Sequence, residues 1–570
     1  MRFAQSIIIK NDSMKKQCAF SILLMVSAIL CKAEPVDVVT AQQRAQEIFN
    51  QVQQQKSLRR SKVDKTPTLT VLQKEGSGMG ANPSYYVFTT DNQEGFVIIS
   101  GDDAFPELIG YSLSSSIHPN CMPPALEHYL SVYDHYVDAV RKGELQVPQH
   151  KRAPRSMANS KVEPLLTSTW GQEAPYNRLT PFNYPVGCVA TALAQVMYYW
   201  KWPETGKGRV NYKYDGNTLI TENFANSTYD WSNMHDTDEQ NSSEESQMAV
   251  SKLSYDCGVA VRMNYTAESS GTSTDLVYKA LYTNFKYKAS KLKLNILDAF
   301  PDTETWYNFI RQELDERRPV VYAAHSPKGG HAYVIDGYDK ELFHVNWGWN
   351  GNYDGYYDLI VCNVNGYAFD SFHRMITGIE PDYEGNDTKA QQLQLFLDDQ
   401  ISPQQDKDIF VGDTIQINAG VFYNYTQLSS QWKVAMALYD IRGNFLETIS
   451  TTITNESFMY GMYFPDRVIP VVVPDTYPDG YYTIRLVFCQ TGYNDWMGPM
   501  TNHASENDII FIKITNGSIT FNEIPAAIDF VDVDVTGINS KNGTYNLAGQ
   551  KLNTLHKGIN IVDGRKVYVK

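Results

Sequence analysis

An order of periodicities constrains this chain more than any other feature. Between Leu165 and about Glu380 helical spacing comes first, at Cys188–Trp200, Glu245–Asp256, Thr274–Asn284 and Thr303–Arg317. Strand-like runs follow: "PVVYAAH", "GHAYVIDGYD", "LFHVNWGWN" and "DGYYDLI". A pattern of period 3.6 does not sit as a strand, nor one of period 2 as a helix. Helices and an antiparallel sheet are therefore segregated, which predicts an α+β domain.

The flanks read differently. From Met14, "MKKQCAFSILLMVSAILCKAEP" has a basic patch, a short apolar core and a small-residue cut site after Ala33, so residues 1–33 read as a secretory signal peptide. Either Met1 or Met14 can be the start, and the bulky Leu30 before Cys31 argues against a lipid anchor. Residues 34–150 form a first domain: a helix in "VVTAQQRAQEIFNQVQQQ", two strands joined by a polar turn within Tyr85–Ser112, and an amphipathic helix from Pro123 to Gly143. Proline, basic and small polar residues replace any periodicity in 151–160, the composition of an exposed processing linker. Beyond "IEPDYEGNDTKAQQ", alternating runs between Gly, Pro and Asn turns predict an all-β sandwich over 385–535. Residues 536–570 hold three short strand-like pieces, a β tail that either completes the sandwich or stands apart.

With 570 residues, formal charge -15 and pI near 5.3, the chain is long enough for several cores and offers no electrostatic case for a nucleic-acid partner. Seven cysteines without close pairs or ligand spacing imply no disulfide framework, no metal and no cofactor.

A thiol attacks an amide as its thiolate, and it needs a base and a place for the oxyanion. Cys188 follows "YPVG" and opens a helical run, where unpaired N–H groups and the positive dipole end favour the thiolate. From that segment alone a buried structural cysteine is an equal reading. Of the other cysteines, Cys257 follows an apolar helical stretch and reads as core. Cys121, Cys362 and Cys489 have no suitable setting. Among His235, His325, His331, His344 and His373, His331 stands out: two glycines precede it at the start of a strand, leaving the imidazole open to an incoming group. It lies 143 positions after Cys188, a spacing papain-type enzymes share. Asn346 is a candidate to orient the imidazole through its side-chain carbonyl, with Trp347 to screen that bond from water. Gln172 is a candidate second oxyanion donor beside the Cys188 N–H.

The stretches "WGQEAPYN", "PVGCVATALAQVMYYWKWP", "GGHAYVIDGYD" and "FHVNWGWNGNYDGYY" resemble the streptopain family of secreted bacterial cysteine proteases over residues 160 to 380, with weaker similarity in "GFVIISGDDAFPELIGYS". The resemblance implies a papain-like catalytic domain over 161–380 and an autoprocessed zymogen whose inhibitory prodomain, 34–150, binds within the same chain. It also implies an endopeptidase acting on protein and peptide substrates, with a preference for a hydrophobic residue two positions before the scissile bond. The family's nucleophile falls on Cys188, its base on His331, its oxyanion glutamine on Gln172, and the segment beside the histidine on Asn346 and Trp347. The C-terminal extension resembles those of Prevotella and Porphyromonas homologues, which implies a secreted or surface-bound protein whose terminal region contacts substrate, cell surface or export machinery. A cysteine transferase or amidase on the same fold, and an adhesin with a vestigial protease domain, are the alternative readings. A chain ending near residue 380 is expected to retain peptide hydrolysis.

Overall fold

The computed structural model describes residues 34–57, 67–72, 82–118, 122, 124–145, 161–237, 241–326, 329–359, 371–387, 389–404, 408–426, 428–458, 463–464, 467–523 and four short strands within 544–569. The signal segment, the linker at 151–160, Cys121 and Cys362 lie outside them.

Two compact units result. The first comprises the chain up to Ser160 together with Asp339–Val345 and Asn352–Phe369. Its helix Val38–Ser57 lays Ala41, Ala45 and Phe49 against a sheet of Leu69–Val71, Tyr85–Thr90, Phe96–Ser100 and Leu108–Ser112. Three strands thus occupy the region where the sequence pattern suggests two. The extra one begins after a short irregular turn, and the Phe96–Ser100 pairing takes a bulge between Ile98 and Ile99 to accept it. The sheet continues into Gly355–Tyr357, with Tyr356 opposite Tyr111 and their rings stacked at 5.0 Å. That pairing groups a piece of the 161–380 stretch with the first unit.

The second unit, Lys161–Tyr338, Asn346–Gly351 and Asp370–Lys570, contains the α+β core. Four helices appear where the spacing predicts them: Cys188–Trp200, Glu244–Ala260, Asp275–Thr283 and Thr303–Asp315. Ser243 and Asp302 cap two of them, their side chains accepting from the N–H groups of Ser246 and Thr305. Strands Lys293–Ile296, Ser371–Thr377, Val320–Ser326 and Gly329–Asp339 form the antiparallel sheet in that spatial order. In its register His331 lies opposite Ala324 and Arg374 opposite Ala323.

Every residue from Val189 to Tyr198 is buried, so the Cys188–Trp200 helix is a central helix and not a surface one. Leu193, Val196 and Met197 belong to one core with Val250, Leu253 and Cys257 of the next helix and Val321, Ala332 and Val334 of the sheet.

The C-terminal strands pack around a second core that includes Trp432, Ile415, Ile417, Leu486 and Ile512. Along Thr414–Asn418 and Val468–Val472 burial alternates, as the sandwich reading requires. The strands within 544–569 make a separate four-stranded sheet.

The sandwich is fastened to the α+β core. Leu428 is buried in the α+β core, and Leu393 packs against both cores. The Arg374 guanidinium, 5% exposed, pairs with the fully buried Asp275 carboxylate at the head of the Asp275–Thr283 helix. Its other nitrogen donates to the Tyr425 carbonyl at 2.8 Å, and the Tyr425 hydroxyl donates to Asp298 at 2.8 Å. A chain ending near 380 would lose the Tyr425 carbonyl from a buried arginine, so its stability, not its chemistry, is what such a cut puts at stake.

Candidate active site

The chain approaches Cys188 through a backbone that only glycine tolerates. Gly187 has φ +90, and a Cβ there would lie 2.6 Å from Met263 Cε and 3.0 Å from the Ser270 carbonyl. The helix ends at Lys201 in the left-handed conformation, and Pro203 forbids its continuation. Cys188 thus stands at the first position of a rigid, buried helix.

The thiol has some solvent access yet is closely surrounded by protein atoms. Burial alone would push it up. The charge and hydrogen bond of the His331 imidazole, aided by the N–H groups of Ala332 and Val189, outweigh burial and hold the thiol below its ordinary value. Cys257 and Cys489 have no such partner, and burial drives both thiols up.

His331 is 9% exposed. Its Nε2 lies 3.1 Å from the main-chain carbonyl of Trp347. With the Nε2 proton committed to that carbonyl, Nδ1 is left to exchange a proton with the thiol. The rings of Trp347, Trp349 and Tyr333 lie 6.2, 6.3 and 6.2 Å from the imidazole and wall it off from water.

Asn346 does not fill the orienting role the sequence suggests. Its Oδ1 accepts from Gln195 Nε2 at 2.9 Å and from the Gly348 N–H at 3.1 Å, and its Nδ2 donates to the Ser168 carbonyl at 2.8 Å. Side chains of a strand alternate between its faces. At the end of Leu342–Asn346 the Asn346 amide turns toward the helix, and the next residue's carbonyl reaches the imidazole. A main-chain acceptor has no signature in sequence, so this partner could not be read there.

Gln172 is half-buried, and its carbonyl accepts the Val186 N–H at 2.9 Å, two residues before Cys188. The segment before it lies close to the loop after Asn346. The Asn350 N–H bonds the Trp170 carbonyl at 3.4 Å. A Cβ on Gly171 would meet Asn350 Oδ1 at 2.3 Å, and one on Gly348 would meet Thr191 Cγ2 at 3.1 Å. Three segments carrying four of the candidate residues thus converge near His331, and the Asn346 side chain is bonded to groups other than the imidazole.

Among the described residues no His, Cys, Asp and Glu gather as a metal-holding group, and no helix is long and apolar enough to cross a membrane.

A thiol heading a buried helix, opposed by an imidazole on an antiparallel sheet, defines a papain-type cysteine peptidase. The chain belongs to the C10 family of cysteine endopeptidases, whose members are secreted or cell-surface bacterial proteins. The model of the Peptidase C10 family matches residues 170–357, and that of the Spi protease inhibitor matches 33–137. Streptopain of Streptococcus pyogenes is 32% identical over 338 residues, covering 54% of this chain and 82% of that protein. The thiol protease/hemagglutinin PrtT of Porphyromonas gingivalis is 33% identical over 325 residues, 52% of this chain but 37% of the relative. A solved fragment of prointerpain A from Prevotella intermedia is 34% identical, covers 55% of this chain and 99% of that one, and superposes with a TM-score of 0.48.

Proposed function

We propose that the chain hydrolyses internal peptide bonds through Cys188 and His331, and that residues 34–150 restrain it until they are cut away. The observation that carries this reading is the thiol held below its ordinary value by an imidazole whose far nitrogen is fixed by the Trp347 carbonyl. Cys188 attacks the carbonyl carbon, and the oxyanion takes hydrogen bonds from the Cys188 N–H and the Gln172 side chain. His331 protonates the leaving amine and then draws a proton from the water that releases the acyl-enzyme. Preferred substrates carry an apolar side chain two residues before the scissile bond. The sandwich and tail make no part of this chemistry and serve contact with substrate, cell surface or export machinery.

The test is processing. Wild-type protein, incubated under reducing conditions and followed by mass spectrometry, should shorten itself by cleavage between Pro148 and Lys161 and gain activity on casein. C188A should stay at precursor length. Turnover by C188A would overturn the assignment of the nucleophile, and an uncut wild type already at full activity would overturn the zymogen.

A further inference from the structure

The Cys188–Trp200 helix carries a single amide in its apolar body, Gln195, two turns beyond the thiol and fully buried. A buried amide left unpaired forfeits its hydrogen bonds to water with nothing in return. Gln195 is instead the centre of a closed network. Its Oε1 accepts from Ser168 Oγ at 2.9 Å and from the Trp170 N–H at 3.2 Å. It also pairs reciprocally with Asn346: Gln195 Nε2 donates to Asn346 Oδ1 at 2.9 Å, and Asn346 Nδ2 returns a bond to Gln195 Oε1 at 3.2 Å. With Ser168 and Gly348 added, all four hydrogen-bonding positions of the Asn346 amide are used.

This network joins three pieces of chain. One is the helix headed by Cys188, the second leads from Ser168 to Gln172, and the third turns from Asn346 to the Trp347 carbonyl that holds His331. We propose that Gln195 is a positioning residue: through Asn346 it fixes the Trp347 carbonyl against the imidazole, and through Ser168 and Trp170 it fixes the approach to Gln172. One side chain thus sets the base and the oxyanion donor in register with the helix that bears the nucleophile. The inference rests on the Cys188–His331 reading and adds to it the group that aligns the two.

The test substitutes Gln195→Glu and Gln195→Met. Ionised glutamate has no proton for Asn346 Oδ1 and brings negative charge to that oxygen, whereas its acid form can still donate. Each full-length variant is matured with a trace of wild-type enzyme, whose activity is subtracted as background. Rates on a peptide substrate are expressed per folded molecule, and alkylation of Cys188 by iodoacetamide is followed by mass spectrometry across pH. We expect Q195E to lose at least tenfold in kcat near pH 8 and markedly less near pH 5, a titration that the parent lacks. Q195M should lose kcat without that pH dependence. In both, the Cys188 alkylation profile should move toward higher pH, with KM little changed. Parental kcat and a parental alkylation profile in folded Q195E and Q195M would overturn the inference. Should neither fold, Ser168→Ala removes one donor to Gln195 Oε1. A severalfold loss in kcat at constant KM supports the role, and parental kcat refutes it. C188A serves in parallel: if it remains active, the Cys188–His331 reading falls, whereas an inactive C188A beside parental Gln195 variants sinks only the positioning role.

Discussion

Replacing Asp275 by alanine should be among the most damaging changes outside the active site. Arg374 is nearly inaccessible to water, and its guanidinium is held by the Asp275 carboxylate and the Tyr425 carbonyl. Removing one partner of a buried ion pair strands the other charge, which costs about 3–5 kcal/mol, far above the 0–1 kcal/mol of an exposed pair. The loss should be felt in the α+β core and in the sandwich, because Tyr425 belongs to the latter. Asp275→Leu with Arg374→Met removes both charges, so most of the loss should return. The Tyr425 carbonyl then loses the bond from Arg374, which leaves a deficit of about 1–3 kcal/mol. The assay is urea unfolding of the full chain by tryptophan fluorescence, in a C188A background that prevents self-digestion. A D275A protein within about 1 kcal/mol of its parent, well below the range for a broken buried pair, would refute the reasoning. So would a double variant no more stable than the single one.

Three further outcomes follow. Q172A should remain folded and lose about a hundredfold in kcat, the worth of one oxyanion donor, measured on a peptide substrate. In H331A the burial of Cys188 persists while the groups opposing it are reduced, so the thiol should rise and its alkylation by iodoacetamide at pH 7 should fall below that of the parent. Asp508 in the sandwich is pushed up to about 6 by burial, with Arg485 opposing. A carboxyl raised on folding stabilises below its unfolded value and loses that contribution as pH rises from there through about 6, so thermal scans should show the sandwich weakening between about pH 4 and 6, and D508N should flatten the dependence.

How much of this was legible depends on what each feature is made of. The Cys188–Trp200 helix could be read residue for residue, because Gly187 before it and Lys201–Pro203 after it are chemical stops. That Cys188 and His331 would meet could be read because both carry their chemistry in side chains at a telling separation. The partner of His331 could not, since it is a main-chain carbonyl. Gln195 does carry a signal in the sequence: an amide inside an otherwise apolar helix requires partners elsewhere. The clamp at Arg374 was hidden as well, because Asp275, Tyr425 and Asp298 are distant in sequence and meet only in the fold.

Leu393, packed against both cores, has a consequence for how the molecule opens. Regions that share a buried side chain cannot lose it independently, so amide exchange at the centre of the sandwich and along the Asp275–Thr283 helix should converge on a common opening free energy. A relative's sandwich grafted after Glu380 would have to supply an apolar residue of similar volume at that point. Otherwise the chimera would exchange as two separate bodies.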